Sequence, residues 1–224
     1  MKDRNSSRKN GGKHRVFLVE DHPVMRAGFA QLVNFQDDLA VCGQAGSTAA
    51  AIREIPDAKP DLVIVDISLP DGGGIDLIKD LAARDPGLPC IVFSTHDEKI
   101  YAERALRAGA RGYIMKQEPV EHVLKSIRAA LRGEICVSDA MRSKLLGKIH
   151  GARNTASGVE QLSDRELDVF RLLGGGHGTA EIATRLHVSV STVETYRANI
   201  KQKLGLKNAM DLVAAAVRWV EKHA

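Results

Sequence analysis

The sequence predicts two units in tandem: an α/β unit on a five-stranded parallel, doubly wound sheet, then an all-α unit of four helices. Three observations carry this. Five short runs rich in Val and Ile alternate with segments of helical periodicity over residues 14–133. From residue 161 onward the pattern is helical only. The chain, at 224 residues, also exceeds the roughly 100 to 150 of a typical single domain.

The strand-length runs are VFLVE (16–20), LAVCGQA (39–45), LVIVD (62–66), CIVFS (90–94) and GYIM (112–115). Between them Met25, Phe29 and Leu32 form one helical face, and Ile75, Ile78 and Ala82 another. The fourth helix has only Ala102, Ala105 and Leu106 to bury, whereas the fifth aligns Val120, Val123, Leu124, Ile127 and Leu131. Right-handed crossovers between parallel strands place helices on both faces of such a sheet. Ligands then bind beyond the carboxyl ends of the strands. Residues 134–160 read as a linker that admits a helix over 139–149 (DAMRSKLLGKI) before the small, polar HGARNTASGVE.

In the helical unit, Ser163 and Glu166 have the spacing of a capping box, and Val169, Phe170 and Leu173 form a short buried stripe ended by GGGHG. Thr179 can cap a second helix with Ile182, Ala183 and Leu186 inward. After HVSVS a third helix turns Val193, Tyr196, Ile200 and Leu204 inward and stops at Gly205. Asn208 can cap a fourth, which carries Leu212, Val213, Ala216, Val217 and Val220 on one side. Two short helices joined by a tight turn, the second with a polar face, have helix-turn-helix geometry.

Composition narrows the function classes. Apolar residues make up 44% and charged residues 27%, and no apolar run approaches the roughly 20 residues needed to span a bilayer. The opening MKDRNSSRKNGGKHR has no apolar segment of the kind a secretory signal needs, so residues 1–13 are expected to be a disordered basic tail. Residues 1–15 hold six basic residues against one acid, while 161–224 hold nine against seven. Overall basicity is therefore mostly tail and does not argue for nucleic acid. Cys42, Cys90 and Cys136 are far apart and form no C-x-x-C pair, which fits a reducing cytoplasm rather than a disulfide framework or zinc site.

The chemistry gathers at one sheet edge. The first strand ends in Glu20-Asp21, the third at Asp66, the fourth at Ser94, and Lys116 directly follows the fifth. If the first and third strands are neighbours, three carboxylates converge and repel unless a cation intervenes. Mg2+ suits oxygen donors of this kind. Lys116 and the Ser94 hydroxyl can then hold phosphoryl oxygens, which makes Asp66 a carboxylate nucleophile for phosphoryl transfer. Plainer readings exist for single residues: Glu20-Asp21 as a helix cap before Pro23, Tyr113 as a half-buried strand aromatic. Cys90 and His96 receive no role.

The motifs VEDHP, VDISLP, FSTHD and GYIMK occur in order, each at a strand end, and through them residues 14–132 resemble the receiver domain of two-component response regulators. The resemblance implies a flavodoxin-like sheet with Asp66 as phospho-acceptor. It further implies Mg2+ on Glu20, Asp21, Asp66 and the Ser68 carbonyl, Ser94 and Lys116 on the phosphoryl group, and Ser94 with Tyr113 as the switch. Two positions depart from the usual pattern: Gly73 stands where an acid or Asn is common, and Thr95 where Ala or Gly is common.

LSDRE, TAEIATRLHVSVSTVETYRANIKQKLGL and NAMDLV make residues 161–222 similar to the LuxR-type DNA-binding domain of the NarL/FixJ class. The resemblance makes the third helix the reader of a major groove. Thr192, Glu194, Thr195, Ala198 and Lys201 face outward, with Thr195 and Ala198 suited to thymine methyls and Glu194 to a cytosine amino group. Arg197, Lys201 and Lys203 suit phosphates. From Ser189 to Lys207 four basic residues oppose Glu194 alone, a local charge that the chain total hides. Family members often carry Lys at the position of Glu194 and His at that of Tyr196, so their base preferences do not transfer.

Together these features point to a cytoplasmic response regulator. A sensor histidine kinase is its expected phosphodonor, double-stranded DNA its target, and a homodimer its expected form on DNA. It is expected to have no membrane attachment and no enzymatic activity beyond its own phosphotransfer and dephosphorylation. Two other readings stay open. One is a transcription factor whose receiver serves only protein contacts. The other is an aspartate-nucleophile phosphohydrolase, whose usual D-x-D after the first strand VEDHP lacks.

Overall fold

The structure, a computed structural model, describes residues 12–149 and 158–223. The expected basic tail therefore lies outside the described residues except at Gly12 and Lys13, as does most of HGARNTASGVE. The chain divides into two compact units between Ser138 and Asp139.

In the first unit the strands are β1 (His14–Val19), β2 (Leu39–Ala45), β3 (Leu62–Val65), β4 (Cys90–Ser94) and β5 (Gly112–Met115). They form one parallel sheet in the order β2-β1-β3-β4-β5. The helices α1 (Pro23–Asn34), α2 (Thr48–Ala58), α3 (Gly74–Arg84), α4 (Glu98–Ala108) and α5 (Val120–Leu131) fill the crossovers. All four residues of β3 are buried, as expected of a central strand covered on both faces. Val19 pairs with Val65, so β1 and β3 are neighbours and the sheet's direction of winding reverses between them. Glu20, Asp21 and Asp66 emerge at that switch point.

Two helical faces are narrower than the sequence pattern suggests. Met25 and Val120 are exposed, whereas Phe29 and Val33 in α1, and Val123, Leu124 and Ile127 in α5, are buried. Both exceptions sit in a first turn at the carboxyl edge of the sheet, where the helix starts beyond the strands. In α4 the small face is Tyr101, Ala102, Ala105 and Ala108, with Leu106 only half-buried. The second crossover is α2, with Ala51 and Ile55 buried. Asp71 accepts the Thr48 and Ala49 amides at 2.7 and 2.8 Å at its start, and the Arg15 guanidinium donates to the Ala58 carbonyl at 2.7 Å at its end. Distant side chains thus satisfy terminal groups that a helix leaves open.

The supposed linker begins later than residue 134. Cys136 donates its amide to the Arg111 carbonyl and accepts the Tyr113 amide, both at 2.8 Å, which extends the sheet beside β5. A Cβ on Gly112 would lie 2.7 Å from the Cys136 carbonyl oxygen, so this approach requires glycine.

The second unit contains α6 (Asp139–Ile149), a 3-10 turn (Gly158–Gln161), α7 (Asp164–Gly174), α8 (Thr179–Arg185), α9 (Val190–Leu204) and α10 (Ala209–His223). Both halves of the Ser163/Glu166 capping box form, Gly205 closes α9 with φ 65°, and Asn208 accepts the Asp211 amide. Phe170, Leu173, Ile182, Val193, Ile200, Leu212 and Ala216 form the core. Each such side chain contributes about 1.5 to 3 kcal/mol when fully buried, less for alanine. Gly178 rather than Thr179 occupies the N-cap of α8, because the Thr179 hydroxyl is engaged by α9. On α10 Val213 remains exposed, and Tyr196 and Leu204 on α9 are half-buried. Among the described residues, no helix is long and apolar enough to cross a membrane.

Candidate functional site

At the switch point, one carboxylate oxygen from each of Glu20, Asp21 and Asp66 lies within 4.8 Å of the others. Asp21 is exposed, but Glu20 and Asp66 are 6% and 5% exposed. Leaving such charges uncompensated would be costly. Lys116 answers both: its Nζ donates to Glu20 Oε2 at 2.6 Å and to Asp66 Oδ2 at 2.8 Å, with all three side chains at or below 8% exposure. The ammonium also stands 5.9 Å above the Phe93 ring. Burial raises the Glu20 carboxyl above its ordinary value; the Lys116 hydrogen bond pulls it down and the Asp66 charge adds to the rise. For Lys116 burial acts to lower its value, but hydrogen bonds to Asp66 and Glu20 outweigh it and the net direction is up.

The backbone fixes these positions. A Cβ on Gly74 would fall 2.0 Å from the Asp66 carbonyl oxygen, so the loop can fold back against β3 only with glycine there. Gly73 is the N-cap of α3 and supplies no side-chain cap. Ser68 donates its amide to Asp66 Oδ1 at 3.3 Å, and Arg26, which sequence reasoning did not single out, donates to the Glu20 carbonyl at 2.6 Å. Only proximity in the fold reveals Arg26, since it follows Glu20 by six residues on the next helix.

Ser94 is fully buried at the end of β4, one strand away from Asp66. Tyr113 is also buried, and its hydroxyl donates to the His96 carbonyl at 2.7 Å. Burial drives that phenol far above its usual range, while the Ser94 hydroxyl acts in the opposite direction. It therefore remains a protonated donor. The Cys90 thiol, pushed up to about 12 by burial, is inert.

In the second unit α9 presents Glu194, Thr195 and Ala198 to solvent, with Thr192, Arg197 and Lys201 half-buried. Glu194 Oε1 accepts from Thr179 Oγ1 at 3.0 Å and from Arg197 Nη1 at 2.8 Å, so α8 and α9 share a polar cluster. Lys203 is committed elsewhere: its Nζ donates to buried Glu166 at 2.6 Å. Burial alone would raise the Glu166 carboxyl, but hydrogen bonds from Lys203 and Ser163 hold it below its ordinary value.

Residues 16–128 match the response regulator receiver domain family, and residues 160–216 match the luxR family of bacterial regulatory proteins. The chain belongs to the response regulators. Over 210 residues it is 33% identical to the oxygen regulatory protein NreC of Staphylococcus carnosus (strain TM300), covering 91% of this chain and 97% of that one. Among solved structures it resembles RcsB of Salmonella enterica serovar Typhimurium bound to promoter rprA with the phosphomimetic BeF3-, at 26% identity and TM-score 0.65 over 92% of this chain and 99% of that one. A LuxR-family response regulator from Aurantimonas sp. SI85-9A1 aligns at 28% identity and TM-score 0.57 over 62% of this chain and all of the other. This response regulator is thus a two-component transcription regulator with a receiver and a LuxR-type DNA-binding domain, and its family is not one of classical enzymes.

Proposed function

We propose that Asp66 accepts a phosphoryl group from a sensor histidine kinase and that this alters dimerisation and promoter binding. The observation that carries the reading is the placing of Asp66 directly after the central strand β3, 5% exposed, with Lys116 Nζ on its Oδ2 at 2.8 Å and one oxygen each of Glu20 and Asp21 within 4.8 Å of its own. A carboxylate so placed is suited to attack on phosphorus.

Three carboxylates outnumber the Lys116 ammonium and the Arg26 guanidinium, which fits a cation, and the all-oxygen donor set suits Mg2+. Glu20, Asp21, Asp66 and the Ser68 carbonyl would hold it, and it would offset charge on the incoming group. Lys116, already on Asp66, is placed to take a phosphoryl oxygen. Ser94 would take another, and its shift would reach Tyr113 through the loop between them. Phosphorylation adds nearly two negative charges, enough to rearrange such a hydrogen-bonded element.

The output is double-stranded DNA in the major groove, read by Thr192, Glu194, Thr195 and Ala198, with Arg197 and Lys201 toward phosphates and Lys203 held instead on Glu166. The RcsB structures with promoter DNA support this reading. We assign residues 14–138 to the receiver, with Cys136 beside β5, and 161–224 to the DNA-binding domain, in a cytoplasmic protein that dimerises on paired half-sites. Acetyl phosphate with Mg2+ should add about 80 Da to wild type and nothing to Asp66→Ala, and should change promoter affinity only in wild type. No adduct on wild type would instead favour a receiver used for protein contacts alone.

A further inference from the structure

The carboxyl ends of α2 and α3, at the edge of the sheet opposite Asp66, leave a cavity of about 240 Å3 between them that is partly open to solvent. Much of its lining is apolar: Ile55, Leu81 and Leu88 are buried there and Ile52 is half-buried. Three charged residues border it. Lys59 and Arg84 are exposed, and among the described residues neither side chain has a hydrogen-bond or ion-pair partner. Asp85 is half-buried and accepts the Gly87 amide at 3.2 Å. At Lys59 the backbone takes φ 44°, the left-handed closure of α2 that glycine fits best. A lysine in that place carries a Cβ penalty that glycine would avoid.

We propose that this cavity is a binding site for a small, free monocarboxylate with an apolar body. Volume sets the size: an apolar cavity of roughly 150 Å3 takes up benzene, and sites for drug-sized ligands begin near about 300 Å3, so the space suits one ring or a short chain with a single polar group. Charge sets the polar group. Lys59 and Arg84 against Asp85 leave one positive charge, the complement of one carboxylate. The guanidinium can meet that carboxylate with two parallel N–H bonds, and the ammonium adds a point charge. The negative ends of the α2 and α3 dipoles both point here, which disfavours a dianion such as phosphate. A cationic ligand is disfavoured too, because nearby helix-end carbonyls already have donors. Ile55 O accepts the Lys59 amide, Ala58 O the Arg15 guanidinium and Leu81 O the Asp85 amide. The site is separate from the phosphoryl site: α3 begins at Gly74, packed against the Asp66 carbonyl, and ends at Arg84.

The test titrates the full chain with sodium phenylacetate, followed by calorimetry and by methyl NMR spectra of its isoleucines and leucines. Phenylacetate should bind with a Kd of roughly 1 mM, the affinity open to so small a ligand, and shift the methyls of Ile52, Ile55, Leu81 and Leu88. Phenylethanol and phenethylammonium, which keep the ring and change the charge, should bind about ten-fold more weakly. Lys59→Gly and Arg84→Gln should each weaken phenylacetate about five-fold and leave phenylethanol unchanged. Lys59→Gly should also keep or raise the urea midpoint, since glycine suits the closure of α2, so its loss of binding is separable from unfolding. Ile52→Trp, which fills the cavity, should abolish binding of all three compounds. Absence of saturable shifts at these four residues overturns the site. Phenylethanol or phenethylammonium binding as tightly as phenylacetate, or phenylacetate binding unchanged in both Lys59→Gly and Arg84→Gln, overturns the carboxylate assignment.

Discussion

Each unit buries a carboxylate against a lysine, yet the two pairs are built to opposite ends. Glu166 Oε2 accepts from both Lys203 and the Ser163 amide, so its charged form is favoured by folding. Glu20 shares one lysine with Asp66 and is pushed toward its neutral form by burial. A carboxylate with a lysine to itself holds a fold together. A pair that must share one cation is left in tension, and that tension is what a metal ion and a phosphoryl group can relieve.

The contrast breaks most readily at Glu166. Glu166→Ala should cost the second unit about 2 kcal/mol in urea unfolding, because it removes half of the capping box together with the solvent-screened Lys203 pair. Glu20→Gln should leave the first unit unchanged or up to about 1 kcal/mol more stable at neutral pH, since the ionised form is the one burial penalises. A clear loss of stability in Glu20→Gln would erase the distinction. The pH dependences have opposite signs. The Glu166 contribution is present above the ordinary value of 4.5 and is lost as pH falls through its lower folded value, a component that Glu166→Gln should remove.

Lys201 and Lys203 sharpen the comparison within one helix. Lys203→Ala should cost about 1 kcal/mol of stability through Glu166, discounted for the lysine's partial exposure. Lys201→Ala should leave stability unchanged and lower the salt dependence of DNA binding by about one counterion. If the two variants behave alike, Lys203 is not the structural member. The smallest effect concerns His187, an exposed residue with φ 52° in the turn before α9. His187→Gly should raise thermal stability by about 0.5 kcal/mol, as glycine adopts this conformation without a Cβ clash.

The sheet and its chemical edge are legible in the sequence because buried parallel strands read as continuous apolar runs, and a charge that ends one is conspicuous. The acidic cluster needed only the pairing of β1 with β3, which the topology supplies. What is not legible is side-chain partnership across long separations. Lys203 and Glu166 are 37 residues apart, and Ser68 and His96 are 28 apart. No periodicity records that either pair meets. The same holds for Asp71, which caps α2 from the far side of β3. On α9 the pattern gave the outward face correctly for Glu194 and Ala198 but not the bond that Glu194 makes to Thr179 on the preceding helix.

The short segment around Cys136 decides where this polypeptide can be divided. A receiver cut after Gly133 would leave the Arg111 carbonyl and the Tyr113 amide without their partners and would remove a buried thiol that packs in the core beneath α5. Cut after Ser138, the same unit keeps its last hydrogen-bonded edge, and with it the strand on which Tyr113 sits.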